Sequence, residues 1–229
     1  MDTNYPACTP RVGYPVEIQA LWIAALRYLG GKKWNALADQ ATASLVRFFV
    51  RKDEVGGLYD CLDAPDDEPA AQATPDWGVR PNQLFAVSLG AFGALAPARR
   101  QALERAVVRA TARLVVPGGI RSLAADDARY RGVYAGDEDT ARKPAYHNGT
   151  VWAWPFPLYA EALVKTHLAS KATARSLLAS AVENLNAGCV CHMSEIADGD
   201  APHAQKGCRA QAWSVSELLR VWLALAPDR

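Results

Sequence analysis

Four stretches of this 229-residue chain open with polar residues and then turn apolar on nearly every side: 15–22, 80–87, 148–154 and 208–215. A helix that is apolar all round has to be buried all round. These stretches therefore predict inner helices whose polar first turns face something other than the core. Pro15 and Pro81 suit helix starts, where the missing N–H is not needed. The starts recur every 60–68 residues, which marks a repeated unit. Between them, residues 33–50, 97–114 and 171–187 carry a single apolar stripe each, such as Leu103, Ala106, Val107, Ala110 and Leu114. That periodicity predicts amphipathic helices with one wet side. Alternation with a period of two is rare. The expected fold class is thus all-α, a double layer of inner helices ringed by outer ones. Trp22 and Trp222 are expected in the core, and Pro155 and Pro157 are expected to break the third inner helix.

The connections at 51–79 and 115–147 are longer than a helical bundle needs, and they are rich in Tyr, Trp, Asp and Arg. Loops of that length and composition read as a functional rim. The rim and the polar first turns gather Asp2, Arg11, Glu17, Asp60, Arg80, Asn82, Gln83, Asp127, Tyr130, Tyr134, His147, Trp152, Glu195, Gln211 and Trp213. Carboxylates, amides and guanidiniums match sugar hydroxyls, and flat aromatics pack on the apolar faces of pyranose rings. Two carboxylates across such a pocket are the machinery of glycoside hydrolysis. Glu17 also reads as a structural acid pairing with Arg11.

Other function classes are disfavoured. Lys plus Arg number 25 and Asp plus Glu 24, a formal charge of +1, so nothing electrostatic draws a nucleic acid or an anionic membrane. No apolar run reaches the ~18–20 residues of a membrane span. The odd count of five cysteines, with no visible leader, points to a reducing, cytoplasmic setting. Cys189-Val190-Cys191-His192 lacks the C-x₂₋₄-C spacing and the second pair of a zinc site, so no metal is expected.

Eight strings, in order, carry a family resemblance. They are Thr9 to Trp22, Leu58-Tyr59-Asp60, Arg80-Pro81-Asn82-Gln83, 119–123, 130–134, Ala145 to Trp152, Ser194 to Gly199 and Gln211 to Val215. Together the chain closely resembles the C-terminal glucosidase domain of glycogen debranching enzymes, of the amylo-alpha-1,6-glucosidase type. The resemblance covers essentially the whole chain. It implies an (α/α)6 barrel, a six-hairpin toroid, and an inverting hydrolase that removes α-1,6-linked glucose from trimmed glycogen or limit-dextrin branches without metal or organic cofactor. It further implies Glu195 as general base and Asp2, shortly before Thr9-Pro10-Arg11, as general acid. Sugar contacts are implied for Asp60, Arg80, Asn82, Asp127, Tyr130, His147 and Gln211, with Trp152 and Trp213 as walls. Asn148 stands where the family usually has Gln, and Lys143 where it usually has Asp.

Six inner helices at roughly 65 residues each need about 390 residues. Four are present here, so the barrel is expected to be incomplete at its N-terminal side, with an upstream domain or a second chain completing it. Two other readings stand beside the first: a truncated, non-catalytic glucan-binding module, and another (α/α)6 glucosidase such as a trehalase-like enzyme.

Overall fold

The computed structural model describes residues 7–65, 68–185 and 187–226. The chain divides into two compact units, one of residues 11–112 and one of residues 113–229 together with 1–10.

The 11–112 unit opens with β1 (Gly13–Pro15), which leads directly into α1 (Val16–Leu29). Gly30, at φ 65°, ends α1 by returning its N–H to the Leu26 carbonyl at 3.2 Å, and α2 (Gly31–Phe49) begins at once. A left-handed residue at a helix end is where glycine is least costly. Val16, Ala20, Ile23 and Leu26 of α1, and Ala38, Leu45 and Phe49 of α2, are buried in this helical hairpin. Each large aliphatic so removed from water contributes about 1.5–3 kcal/mol. β2 (Cys61–Asp63) and β3 (Thr74–Pro75) complete a three-stranded antiparallel sheet in the order β1-β2-β3. Gly13, opposite Asp63, has no room for a side chain, since a Cβ would lie 2.5 Å from the Leu62 carbonyl oxygen. A 3-10 turn at Pro81–Gln83 runs into the short α3 (Leu84–Ser88), which packs on α1 and on α4 (Pro97–Thr111).

The 113–229 unit is built on a five-stranded antiparallel sheet in chain order: β4 (Val115–Val116), β5 (Gly119–Arg121), β6 (Val151–Trp152), β7 (Ile196–Ala197) and β8 (Gln205–Lys206). Between β5 and β6 lie a π-helical turn, Glu138–Arg142, and α5 (Lys143–Tyr146). Asp137 caps the turn by accepting from the N–H groups of Asp139 and Thr140, both at 3.0 Å. Three helices complete the unit: α6 (Phe156–Lys165), α7 (Lys171–Val182) and α8 (Ala212–Ala224), with α6 packed on both α7 and α8. Ser170 caps α7 by accepting from Thr173 N at 3.1 Å.

The amphipathic stretches at 33–50, 97–114 and 171–187 are the helices α2, α4 and α7. The all-α expectation, and with it the (α/α)6 barrel, is overturned by the two antiparallel sheets of three and five strands among the described residues. These strands are two or three residues long, too short for a period of two to show in sequence. The stretch at 148–154, expected to open a helix, instead runs through β6, and the helix starts only at Phe156. Pro155 and Pro157 do not break that helix; they begin it, where a missing N–H costs nothing. The inner-helix start at Arg80 yields only the five-residue α3. Nor is α1 buried all round: Ile18, Leu21 and Trp22 are exposed, Trp22 to 48%, so its place in the core is also corrected. Trp222 is half-buried, with the Arg175 guanidinium 4.0 Å over its ring. Among the described residues no helix is long and apolar enough to cross a membrane.

Candidate active site

Glu195 stands immediately before β7, and the sheet dictates what surrounds it. β7 pairs Ile196 with Trp152 of β6 on one side and with Lys206 of β8 on the other. The ladder continues at Glu195, whose N–H donates to the Cys208 carbonyl at 2.8 Å. The Cys208 N–H donates back to the Glu195 side chain, at Oε2, 3.0 Å away. Gln211, the residue before α8, is held by its own N–H on the Met193 carbonyl at 3.0 Å, and its Nε2 donates to Glu195 Oε1 at 3.2 Å. The Tyr146 hydroxyl makes a short hydrogen bond to the same Oε1.

Tyr146 ends α5, and its backbone is tied to the strand that follows. Its carbonyl accepts from Thr150 Oγ1 at 2.6 Å and from Trp152 Nε1 at 3.2 Å. The rings follow from that clamp. Trp152 stacks on His147 at 5.3 Å between centroids with planes 5° apart, and meets Tyr146 edge-on at 5.0 Å. Trp213, in the first turn of α8, stands edge-on to Trp152 at 6.2 Å and stacks on Trp154 at 5.2 Å. Tyr134 closes the group, 5.8 Å from Tyr146, with its N–H on Asp198 Oδ1 at 2.7 Å. Burial, reinforced by the Glu195 carboxylate, pushes the Tyr146 phenol well above its ordinary range, so it stays a donor.

These side chains line an open pocket of about 540 Å³. Of the residues expected from sequence, it brings together Tyr134, His147, Trp152, Glu195, Gln211 and Trp213. Tyr146 had no role assigned from sequence, and Glu138 and Arg142 were not expected in the lining; Lys143, expected from sequence to alter sugar contacts, lies there as well. The signal for Tyr146 was its place beside His147 in the Ala145-to-Trp152 string. Tyr130 and Asp127 lie elsewhere in the same unit. The Tyr130 hydroxyl donates to Asp200 Oδ1 at 2.9 Å, and burial together with that carboxylate raises its pKa. Asp127 accepts from Arg129, with Nη2 at 2.8 Å from Oδ2. Asp2 lies outside the described residues.

The remaining candidates form a second cluster, within the 11–112 unit. Arg11 grips Glu17 with two parallel bonds, Nη1–Oε1 at 2.5 Å and Nη2–Oε2 at 2.7 Å, the geometry of a strong charge-assisted pair. Its Nε lies 2.8 Å from Asp60 Oδ2, and Arg80 Nε lies 3.8 Å from the same oxygen. Asn82 Nδ2 donates to Asp60 Oδ1 at 2.8 Å. Burial works against the Arg11 charge, but Glu17 and Asp60 more than offset it and raise its pKa. For Asp60 burial prevails over Arg11, Arg80 and Asn82 and pushes the carboxyl up. Gln83 accepts the Leu58 N–H at 2.9 Å and donates to the Arg80 carbonyl at 3.2 Å, so its amide braces backbone. The pairing of Arg11 with Glu17 is the structural alternative read from sequence.

Among the described residues no three His, Cys, Asp or Glu side chains are grouped to hold a metal ion. Cys189 and His192 face each other across a tight turn, and Cys189 and Cys191 are exposed.

The pocket thus sets a carboxylate with fixed donors among stacked aromatic rings. The chain belongs to the amylo-alpha-1,6-glucosidase family, whose model matches residues 1–220. That makes it a member of a glycosidase-type family related to glycogen debranching. No curated protein matches the chain.

Proposed function

We propose that this chain hydrolyses the α-1,6-linked glucose at trimmed branch points of glycogen or limit dextrin, with inversion at the anomeric carbon. The observation that carries the reading is Glu195, a carboxylate at the pocket wall whose hydrogen-bond partners among the described residues are all donors. A carboxylate held in place by donors is positioned to accept a proton, as a general base must. Glu195 takes a proton from water as the water oxygen attacks C1. The bond from C1 to the leaving oxygen breaks, and a carboxylic acid gives that oxygen its proton. Family resemblance supports Asp2 for the acid. It also supports sugar contacts from the pocket residues His147, Trp152, Gln211 and Trp213, with Tyr134 lining the same pocket; for Asp127 and Tyr130, and for Asp60, Arg80 and Asn82 of the 11–112 unit, the resemblance alone supports such a role. Trp213, 48% exposed at the pocket, supports packing against a pyranose ring.

The test is glucose release from a branched limit dextrin by the purified protein and by Glu195→Gln. The variant keeps the side-chain shape and loses the base, so turnover should fall by about 100- to 10,000-fold. Binding of maltooligosaccharides, read by calorimetry, should persist. Normal hydrolysis by Glu195→Gln would remove Glu195 from the role. Binding without turnover by the unaltered chain would make it a glucan-binding module.

A further inference from the structure

An ionised carboxylate offers about four lone-pair sites, two on each oxygen. Among the described residues, Oε1 of Glu195 fills both of its sites, with the Tyr146 hydroxyl and the Gln211 amide, whereas Oε2 accepts only the Cys208 N–H. The two oxygens are therefore not equivalent. We propose that Tyr146 is a positioning residue for Glu195: with Gln211 it saturates Oε1 and fixes the carboxylate rotamer, leaving Oε2 as the oxygen that receives the proton. This rests on the glucosidase reading for the identity of the proton's source, and on geometry alone for the positioning.

The clamp is built for that task. Tyr146 cannot drift, because its own carbonyl is held by Thr150 and Trp152 and its ring by Trp152, His147 and Tyr134. Gln211 is fixed by its backbone bond to Met193, two residues before Glu195. A hydroxyl on a rigid ring sets an angle more tightly than a flexible donor does, and rate falls steeply with misplacement of a reacting group.

Tyr146→Phe removes only the hydroxyl and keeps the ring contacts and both backbone bonds. In the debranching assay kcat should fall about 10- to 100-fold, the effect of one lost hydrogen bond to a charged group. KM should stay within about twofold, since Tyr146 acts through Glu195 and not on the sugar. Tyr146→Phe combined with Glu195→Gln should be no slower than Glu195→Gln alone, because residues acting as a unit are not additive. Losses that multiply in the double variant, or an unchanged kcat in Tyr146→Phe, would overturn the proposal. A second readout needs no turnover. With ¹³C-labelled glutamate, the Glu195 carboxyl resonance is assigned by its disappearance in Glu195→Gln. It should move in Tyr146→Phe, and an unmoved resonance sinks the proposal whatever the substrate. Failure of the substrate reading would instead appear as no glucose release from the unaltered protein while the resonance still moves.

Discussion

Gly207 follows β8 at φ +68°, and a Cβ built there would lie 2.5 Å from Glu195 Oε2, 3.0 Å from Ile196 Cγ1 and 3.2 Å from Glu195 Cβ. Gly207→Ala therefore imposes two separate costs. An L-residue in the left-handed region loses about 1–2 kcal/mol of stability. Independently, Oε2 has to retreat roughly 0.9 Å to reach ordinary contact near 3.4 Å. Oε2 stands 3.0 Å from the Cys208 N–H, so a retreat of that size breaks the bond and swings the carboxylate on its Tyr146 and Gln211 contacts. A displacement near 1 Å at a reacting group costs about 100-fold in rate, or about 2.7 kcal/mol of barrier. Gly90 supplies the control. Its φ is +67° and nothing lies within 4 Å of its Cβ position, so Gly90→Ala carries the backbone strain without touching Glu195. Urea unfolding should show a loss of about 1–2 kcal/mol in Gly90→Ala and a larger one in Gly207→Ala, which also loses the Cys208 bond. Glucose release from limit dextrin should fall about 100-fold in Gly207→Ala and stay near normal in Gly90→Ala. Equal activities in the two folded variants would refute the link between the placement of Oε2 and the rate.

Two further outcomes follow from the buried charges and phenols. Asp60→Ala removes the buried carboxylate that Arg11 and Arg80 share in the 11–112 unit and should cost about 3–5 kcal/mol in urea unfolding. Glu17→Ala should cost only about 1 kcal/mol, since the Glu17 side chain is 20% exposed and Arg11 keeps Asp60; equal losses would contradict the hierarchy. Burial holds Tyr130, Tyr146 and Tyr159 protonated above the ordinary phenol value of 10.0. The unfolded chain releases these protons first, so their stability contribution is complete below pH ~10 and is lost as pH climbs through the raised folded values. The urea midpoint should drop between pH 9 and pH 11, and a flat profile would contradict it.

Much of the helical frame was legible in sequence. The apolar stripes of α2, α4 and α7 repeat every three to four residues, and a pattern of that kind is complete within one helix. Pro15 before α1 is likewise a local signal. The same reasoning failed where burial depends on neighbours: α1 is apolar all round, yet Ile18, Leu21 and Trp22 stay exposed. It failed again for the sheets, because strands of two and three residues carry no period and exist only by pairing with distant partners, as Ile120 does with Trp152. In the site, Glu195, Trp152, Gln211 and Trp213 stood out as residue types in recognisable strings. Tyr146 shares a string with Trp152 but carried no assigned role, because a tyrosine looks the same in sequence whether it packs or donates.

By itself, then, the sequence determined which segments could become helices and which polar and aromatic groups were available, since both are properties of a residue and its near neighbours. Only the tertiary structure decided the strand pairing and the surroundings of Glu195. Its donors come from 49 residues upstream and from 13 and 16 residues downstream. Contacts over such separations are set by closing long loops against chain entropy, and no short-range pattern records which closures succeed.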